Sequence, residues 1–105
     1  MDVAVSTQRD DGVATLSISG AMDLDAVDHI EGAIGEAVNT PGTSTIVVDL
    51  SAVDFLDSSG IAILLKGRRV ADAGGVTYRV TGAAGMVRQV LDLTGVWAHL
   101  SGEPG

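Results

Sequence analysis

The chain has 105 residues, no cysteine and a net charge of −8, because 14 acidic residues outnumber six basic ones. This length supports one hydrophobic core, so we expect a single domain over residues 1–105. The lack of cysteine excludes disulfides and thiolate metal sites, and the acidity disfavours a nucleic-acid partner, whose binders carry a basic surface. Neither a membrane-spanning apolar run nor a signal peptide is visible, so we expect a cytoplasmic protein that does not enter the membrane.

The first half of the chain predicts a hairpin, a helix and a buried strand. Apolar residues alternate over Val3–Val5 and Val13–Ile18, and Asp10-Asp11-Gly12 between them is typical of a turn. Apolar residues then recur at helical spacing over Val27–Val38. The run Thr45–Leu50 is short, β-branched and apolar, as expected of a strand in the middle of a sheet.

The second half alternates helices with strands. Apolar and small residues at helical spacing predict a helix over Ile61–Ala71, which ends at Gly74-Gly75. A strand is expected over Val76–Val80, a third helix over Met86–Leu91, and a short edge strand over Val96–Leu100.

Strands separated by helices predict an α/β fold. We expect a mixed sheet of four to five strands that opens with the N-terminal hairpin, and three to four helices packed mainly on one face. The tail over residues 101–105 is expected to be disordered.

The most informative segment is Asp54-Phe55-Leu56-Asp57-Ser58-Ser59-Gly60-Ile61, where a buried strand gives way to a helix. Ser58 at a helix start has an ordinary interpretation as an N-cap, which contributes about 1 kcal/mol. The same place also suits a phosphate, because free backbone N–H groups and the helix dipole attract an anion. Asp57 would instead repel a phosphate, so modification of Ser58 could act by disrupting an interface.

An enzyme is the first alternative. A hydrolase would need Ser58 or Ser59 as nucleophile and His29 or His99 as base, but the G-x-S-x-G elbow is absent. We therefore expect no catalytic residue.

A cofactor or metal site is the second alternative. Gly74-Gly75 and Gly82–Gly85 match neither the phosphate-binding loop nor the dinucleotide fingerprint, so we expect no nucleotide cofactor. Asp23, Asp25 and Asp28 could form a metal cluster, but they lie at a predicted helix N-terminus, where carboxylates are favoured as caps. We therefore expect no metal.

The chain resembles the STAS domains of bacterial anti-sigma factor antagonists, the group that contains sporulation and general-stress regulators. The resemblance is carried by Gly20-Ala21-Met22-Asp23, Ile46-Val47-Val48-Asp49-Leu50, Phe55-Leu56-Asp57-Ser58-Ser59-Gly60-Ile61 and Leu93-Thr94-Gly95-Val96. The most specific part is Asp57-Ser58-Ser59-Gly60. Ala21 departs from the family, which often has an acidic residue there.

The resemblance implies a switch. In this family the first hydroxyl residue after the aspartate, here Ser58 with Ser59 as the alternative, is phosphorylated by a partner that is both serine kinase and anti-sigma factor. The unphosphorylated form binds this partner and frees a sigma factor for transcription, and a PP2C-type phosphatase reverses the modification. Asp23, Asp57, Ser59 and Gly60 are the implied partner-binding residues. ATP would bind the partner, so the chain itself would be neither enzyme nor cofactor-binding protein.

A second possibility within the same fold is an accessory subunit of another assembly, such as a lipid-transport ABC system or a stressosome-like complex, without kinase control. The intact Asp57-Ser58-Ser59-Gly60 segment favours the antagonist.

Overall fold

The computed structural model describes residues 3–101, and its single sheet contains β1 (Val3–Asp10), β2 (Val13–Met22), β3 (Thr45–Leu56) and β4 (Thr77–Thr81) in that order. β1 and β2 form an antiparallel hairpin, while β2 with β3 and β3 with β4 are parallel pairs. The expected mixed sheet and N-terminal hairpin are confirmed, with four strands.

Within this described range, four helices and one short 3-10 turn connect or follow the strands. They are the 3-10 turn (Leu24–Ala26), α1 (Val27–Asn39), α2 (Ser58–Ala73), α3 (Gly85–Leu93) and α4 (Val96–Ser101). α1 and α2 supply the crossovers that parallel strands require. Within residues 3–101, none of the helices has the length and apolar character needed to cross a bilayer.

One face of the sheet is buried and the other is polar. Leu16, Val48 and Val80, on adjacent strands, have no exposed surface, whereas Ser17 is exposed and Asp49 is half-buried. The buried helical residues belong to the same cluster and include Ile30, Ile34, Ile63, Leu64, Val87, Leu91 and Leu100. The helices therefore pack mainly on one face, as expected.

The strands β2 and β3 run further than the apolar pattern predicts. β3 continues past Leu50 to Leu56, although Ser51, Ala52 and Asp54 in this extension are exposed. Its register with β2 shifts twice, between Ser17 and Ser19 and between Gly20 and Ala21. Such bulges break the strict alternation that marks a strand in sequence. Both strands consequently end together, with Met22 opposite Leu56.

The expected edge strand over Val96–Leu100 is wrong, because these residues form α4. Trp97 and Leu100 are 6% and 1% exposed, and their three-residue spacing buries both on one side of a helix. Val and Trp favour strands, which explains the error. A hydrogen bond from the Arg68 guanidinium to the carbonyl oxygen of His99 ties α4 to α2.

The expected disordered tail lies mostly outside the described residues. Ser101 is the last residue of α4, so the chain is helical at the point where the tail was expected to begin. Residues 102–105 lie beyond the part of the chain that the structure describes.

Candidate functional site

The predicted site residues follow two parallel strands that end side by side. Met22 at the end of β2 pairs with Leu56 at the end of β3, and the Asp57 N–H donates to the carbonyl oxygen of Met22 at 3.5 Å. Asp23 and Asp57 are the next residues on each strand. They therefore lie at the same edge of the sheet, the carboxyl edge where ligands of α/β proteins usually bind.

Asp57 is the N-cap of α2. Its Oδ1 accepts hydrogen bonds from the backbone N–H of Ser59 at 2.8 Å and from that of Gly60 at 3.3 Å. Ser58 is therefore the first residue of α2, and its interpretation as the N-cap is wrong. The reason is that the extended backbone of Asp57 aims its carboxylate at both N–H groups.

Ser58 is exposed and Ser59 is half-buried. Within residues 3–101 the Ser58 hydroxyl takes part in no hydrogen bond, so it is available to an enzyme that approaches from solvent. Accessibility thus favours Ser58 over Ser59 as the modified residue. That either serine is phosphorylated stays a prediction.

Gly60 is buried and permits a close approach of α2 to β2. A Cβ at this position would lie 2.6 Å from the carbonyl oxygen of Met22 and 3.0 Å from Cγ of Leu56. A side chain at these distances would force the backbone to shift, so glycine is strongly favoured in this first turn of α2. Gly60 therefore has a packing role, and its predicted contact with a partner stays a prediction.

Asp23 caps the 3-10 turn that leads into α1. Its Oδ1 accepts from the Asp25 N–H at 3.1 Å, and its carbonyl oxygen accepts from the Ala26 N–H at 3.1 Å. The turn contacts α2. The N-cap of α1 itself is Ala26, which supplies no side-chain bond. Of the two predicted caps, Asp23 caps the preceding 3-10 turn, whereas Asp25 lies within that turn and is not a cap.

Leu24 is a feature of this edge that the sequence analysis did not single out. It lies between Asp23 and Asp25 and is 73% exposed. The sequence does contain a signal for its exposure, because Leu24 is an apolar residue that lies outside the helical apolar pattern beginning at Val27.

The two histidines considered for a hydrolase lie on different elements. His29 lines a groove between β1 and α1, together with Arg9 and Glu36, and His99 lies on α4. In the described part of the chain no three carboxylate or histidine side chains are grouped as metal ligands.

Burial perturbs one ionisable side chain away from this edge. It raises the pKa of the Tyr78 phenol well above its usual value. The Tyr78 hydroxyl donates to the carbonyl oxygen of Leu64 at 3.0 Å, so this group serves the packing of β4 against α2.

Comparison with known sequences yields a family and a named relative. The family model described as "Mlab, STAS domain" matches residues 5–100. The anti-sigma-F factor antagonist RsfB of Mycobacterium tuberculosis is 47% identical over 62 residues, which represent 59% of this chain. The match covers only half the length of that relative, at 50%.

Solved structures share the fold over nearly all of the chain. An anti-sigma factor antagonist from Mycobacterium paratuberculosis is 30% identical, with a TM-score of 0.79 over 90% of this chain and 80% of the other. The Bacillus cell fate determinant SpoIIAA in its phosphorylated form has 22% identity and a TM-score of 0.69, over 89% of this chain and 85% of SpoIIAA. With the mixed sheet and the match over residues 5–100, these likenesses show that the chain belongs to the STAS domain family.

Proposed function

We propose that this chain is an anti-sigma factor antagonist that binds a kinase-type anti-sigma factor while Ser58 is unmodified and releases it once Ser58 is phosphorylated. The observation that carries the proposal is the exposed, unbonded hydroxyl of Ser58 on the first turn of α2, directly after the capping Asp57. The likeness to RsfB and to the M. paratuberculosis antagonist supports the general role. ATP and the sigma factor bind the partner, and a PP2C-type phosphatase restores the serine, all in the cytoplasm.

A phosphate on Ser58 would gain little from the helix N-terminus. Free N–H groups at such a position normally receive an anion. Here the Asp57 carboxylate already accepts from Ser59 and Gly60. The added charge of about −1.5 to −2 would also lie next to that carboxylate and be repelled by it. The phosphate therefore stays in solvent and leaves the fold unchanged.

The same phosphate has a large effect on a complex. A partner that covers Ser58 would have to bury a dianion, which costs several kcal/mol without a matched basic group. Because 1.4 kcal/mol changes a dissociation constant tenfold, one modification is enough to empty the complex. Phosphorylation thus changes the affinity of the interface and leaves the structure of the domain unchanged.

Phosphate transfer is the first test. The purified protein is mixed with candidate kinase anti-sigma factors from its own genome and Mg-ATP, and the added phosphate is located by tandem mass spectrometry. We expect phosphate on the wild type and on Ser59→Ala, and none on Ser58→Ala. Phosphate on Ser59 in the wild type would refute the assignment to Ser58.

Affinity for the same partner is the second test. We expect Ser58→Ala to bind as tightly as the unmodified wild type, and the phosphorylated protein to bind at least about tenfold more weakly. Ser58→Asp imitates part of the added charge and should fall between them. Equal dissociation constants for all of these forms would rule out the switch.

A STAS accessory subunit without kinase control is the second candidate, because the description of the matching family names no anti-sigma factor. Such a subunit would be folded yet receive phosphate from none of the candidate kinases. Ser58 would then be only the first residue of α2.

A further inference from the structure

Leu24 is an apolar side chain that the local structure holds in solvent. The 3-10 turn around it is closed at both ends by hydrogen bonds to Asp23, one to Oδ1 and one to the carbonyl oxygen. Ala26, the last residue of the turn, is 1% exposed and fixes the turn to the core. Leu24 consequently remains 73% exposed on an ordered segment.

Exposure alone would not indicate a function, because single apolar residues are common on protein surfaces. The position of Leu24 is the second observation. Its turn contacts α2, whose first residue is Ser58, and the preceding Met22 pairs with Leu56. Leu24 and Ser58 therefore belong to one surface at the carboxyl edge of the sheet.

A typical interface is large enough to include both residues. A standard complex covers about 800 Å² on each partner, which corresponds to a patch about 30 Å across. The whole domain measures only 34 × 32 × 21 Å. A partner centred on the start of α2 therefore reaches Leu24 as well, and burial of this exposed leucine would favour binding.

The charges around Leu24 specify the chemistry of its receptor. Asp23 and Asp25 flank it in sequence, and Asp57 caps the neighbouring helix at the same edge. The chain as a whole has 14 acidic and six basic residues, so it attracts a basic protein. An apolar pocket bordered by lysine and arginine side chains complements this arrangement.

We infer that Leu24 is the apolar anchor by which this chain binds its anti-sigma factor, and that it enters an apolar pocket with a basic border on that protein. The inference rests on the proposed function and adds to it the residue that supplies affinity. The hydrogen bonds of the turn hold its backbone in place before the partner binds. Burial of the Leu24 side chain therefore increases affinity without the entropic cost of ordering a loop.

The test measures dissociation constants of the unphosphorylated variants with the anti-sigma factor by calorimetry. Leu24→Ala removes the anchor, Leu24→Met keeps an apolar side chain of similar volume, and Thr77→Ala truncates an exposed residue at the opposite end of the sheet. We expect Leu24→Ala to bind about tenfold more weakly or worse. Leu24→Met and Thr77→Ala should stay within about twofold of the wild type.

The outcomes separate this inference from the proposed function. Wild-type affinity for Leu24→Ala, together with weak binding of Ser58→Asp, would overturn the anchor and leave the switch intact. Equal weakening by Leu24→Ala and Thr77→Ala would also overturn it, because the effect would not be specific to this edge. If the wild type binds no anti-sigma factor, the proposed function fails, and the anchor fails with it. Thermal melts of each variant ensure that only folded protein is compared.

Discussion

The chain passes from strand to helix at the same sheet edge in two different ways. After β3 the single residue Asp57 separates the strand from α2, its carboxylate accepts two N–H groups, and Gly60 packs against Met22. After β2 a 3-10 turn intervenes, and Asp23 accepts only one N–H with its side chain. We call the first junction tight, because a Cβ at Gly60 would clash, and the second open, because Leu24 there lies in solvent. The difference predicts that substitutions cost more stability at the junction that holds Ser58.

The largest expected effect comes from filling the tight junction. Gly60→Ala places a Cβ 2.6 Å from the Met22 carbonyl oxygen, and backbone cannot yield as a flexible side chain can. We expect a loss of about 2–3 kcal/mol in the free energy of unfolding, measured by urea denaturation.

A matched glycine in the helix after the open junction is the control. At Gly32 in α1 a Cβ would meet no atom within 4 Å, so Gly32→Ala should raise stability by about 0.5–1 kcal/mol. Similar destabilisation by both substitutions would contradict the comparison. The loss of stability would then follow from replacing a helical glycine in general and not from the contact of Gly60 with Met22.

Removing the two caps gives the next largest difference. Asp57→Ala should cost about 1–2 kcal/mol and Asp23→Ala about 0.5–1 kcal/mol, because two N–H groups lose their acceptor in the first case and one in the second. Asparagine is an equally good cap, so Asp57→Asn should recover most of the loss. The same denaturation series measures all three. A larger loss for Asp23→Ala would reverse our ranking of the junctions.

The smallest effect is expected where the helices that leave the two junctions meet. Lys66 Nζ on α2 lies 3.2 Å from Glu31 Oε2 on α1, and the two side chains are 53% and 29% exposed. Solvent screens such a pair, so Lys66→Ala should change the free energy of unfolding by less than about 0.5 kcal/mol. Added salt should reduce even this difference. A change above about 1 kcal/mol would show that α1 and α2 depend on this contact.

Much of the fold could be predicted because its signals are local. The Asp10-Asp11-Gly12 turn forms with positive φ at Asp11 and Gly12, at 51° and 83°, as a tight hairpin requires. The helix after Asp57 and the stop near Gly74-Gly75 likewise follow from caps and periodicity. By contrast, Val96–Leu100 carries strand-forming residues at helical spacing, and packing decides in favour of the helix.

The site could be predicted only in part. Resemblance and turn chemistry singled out Ser58, but two adjacent residues able to cap a helix left the cap ambiguous until the backbone at Asp57 resolved it. The proximity of Asp23 and Leu24 to Ser58 depends on the pairing of β2 with β3. Sequence periodicity indicates which face of a strand is buried, but it does not say which strands are neighbours in the sheet.

The parallel pairing of β2 with β3 also bears on when the site comes into existence. Parallel strands need a long crossover between them, so contacts such as Met22 with Leu56 join residues far apart in sequence and exist only in the folded domain. A nascent or unfolded chain contains Ser58 in its sequence but presents no surface that combines it with Leu24. A kinase that requires both residues would not recognise such chains and would phosphorylate only folded domains. The amount of phosphorylated protein would then depend on how much of the chain has folded and not on how much has been synthesised.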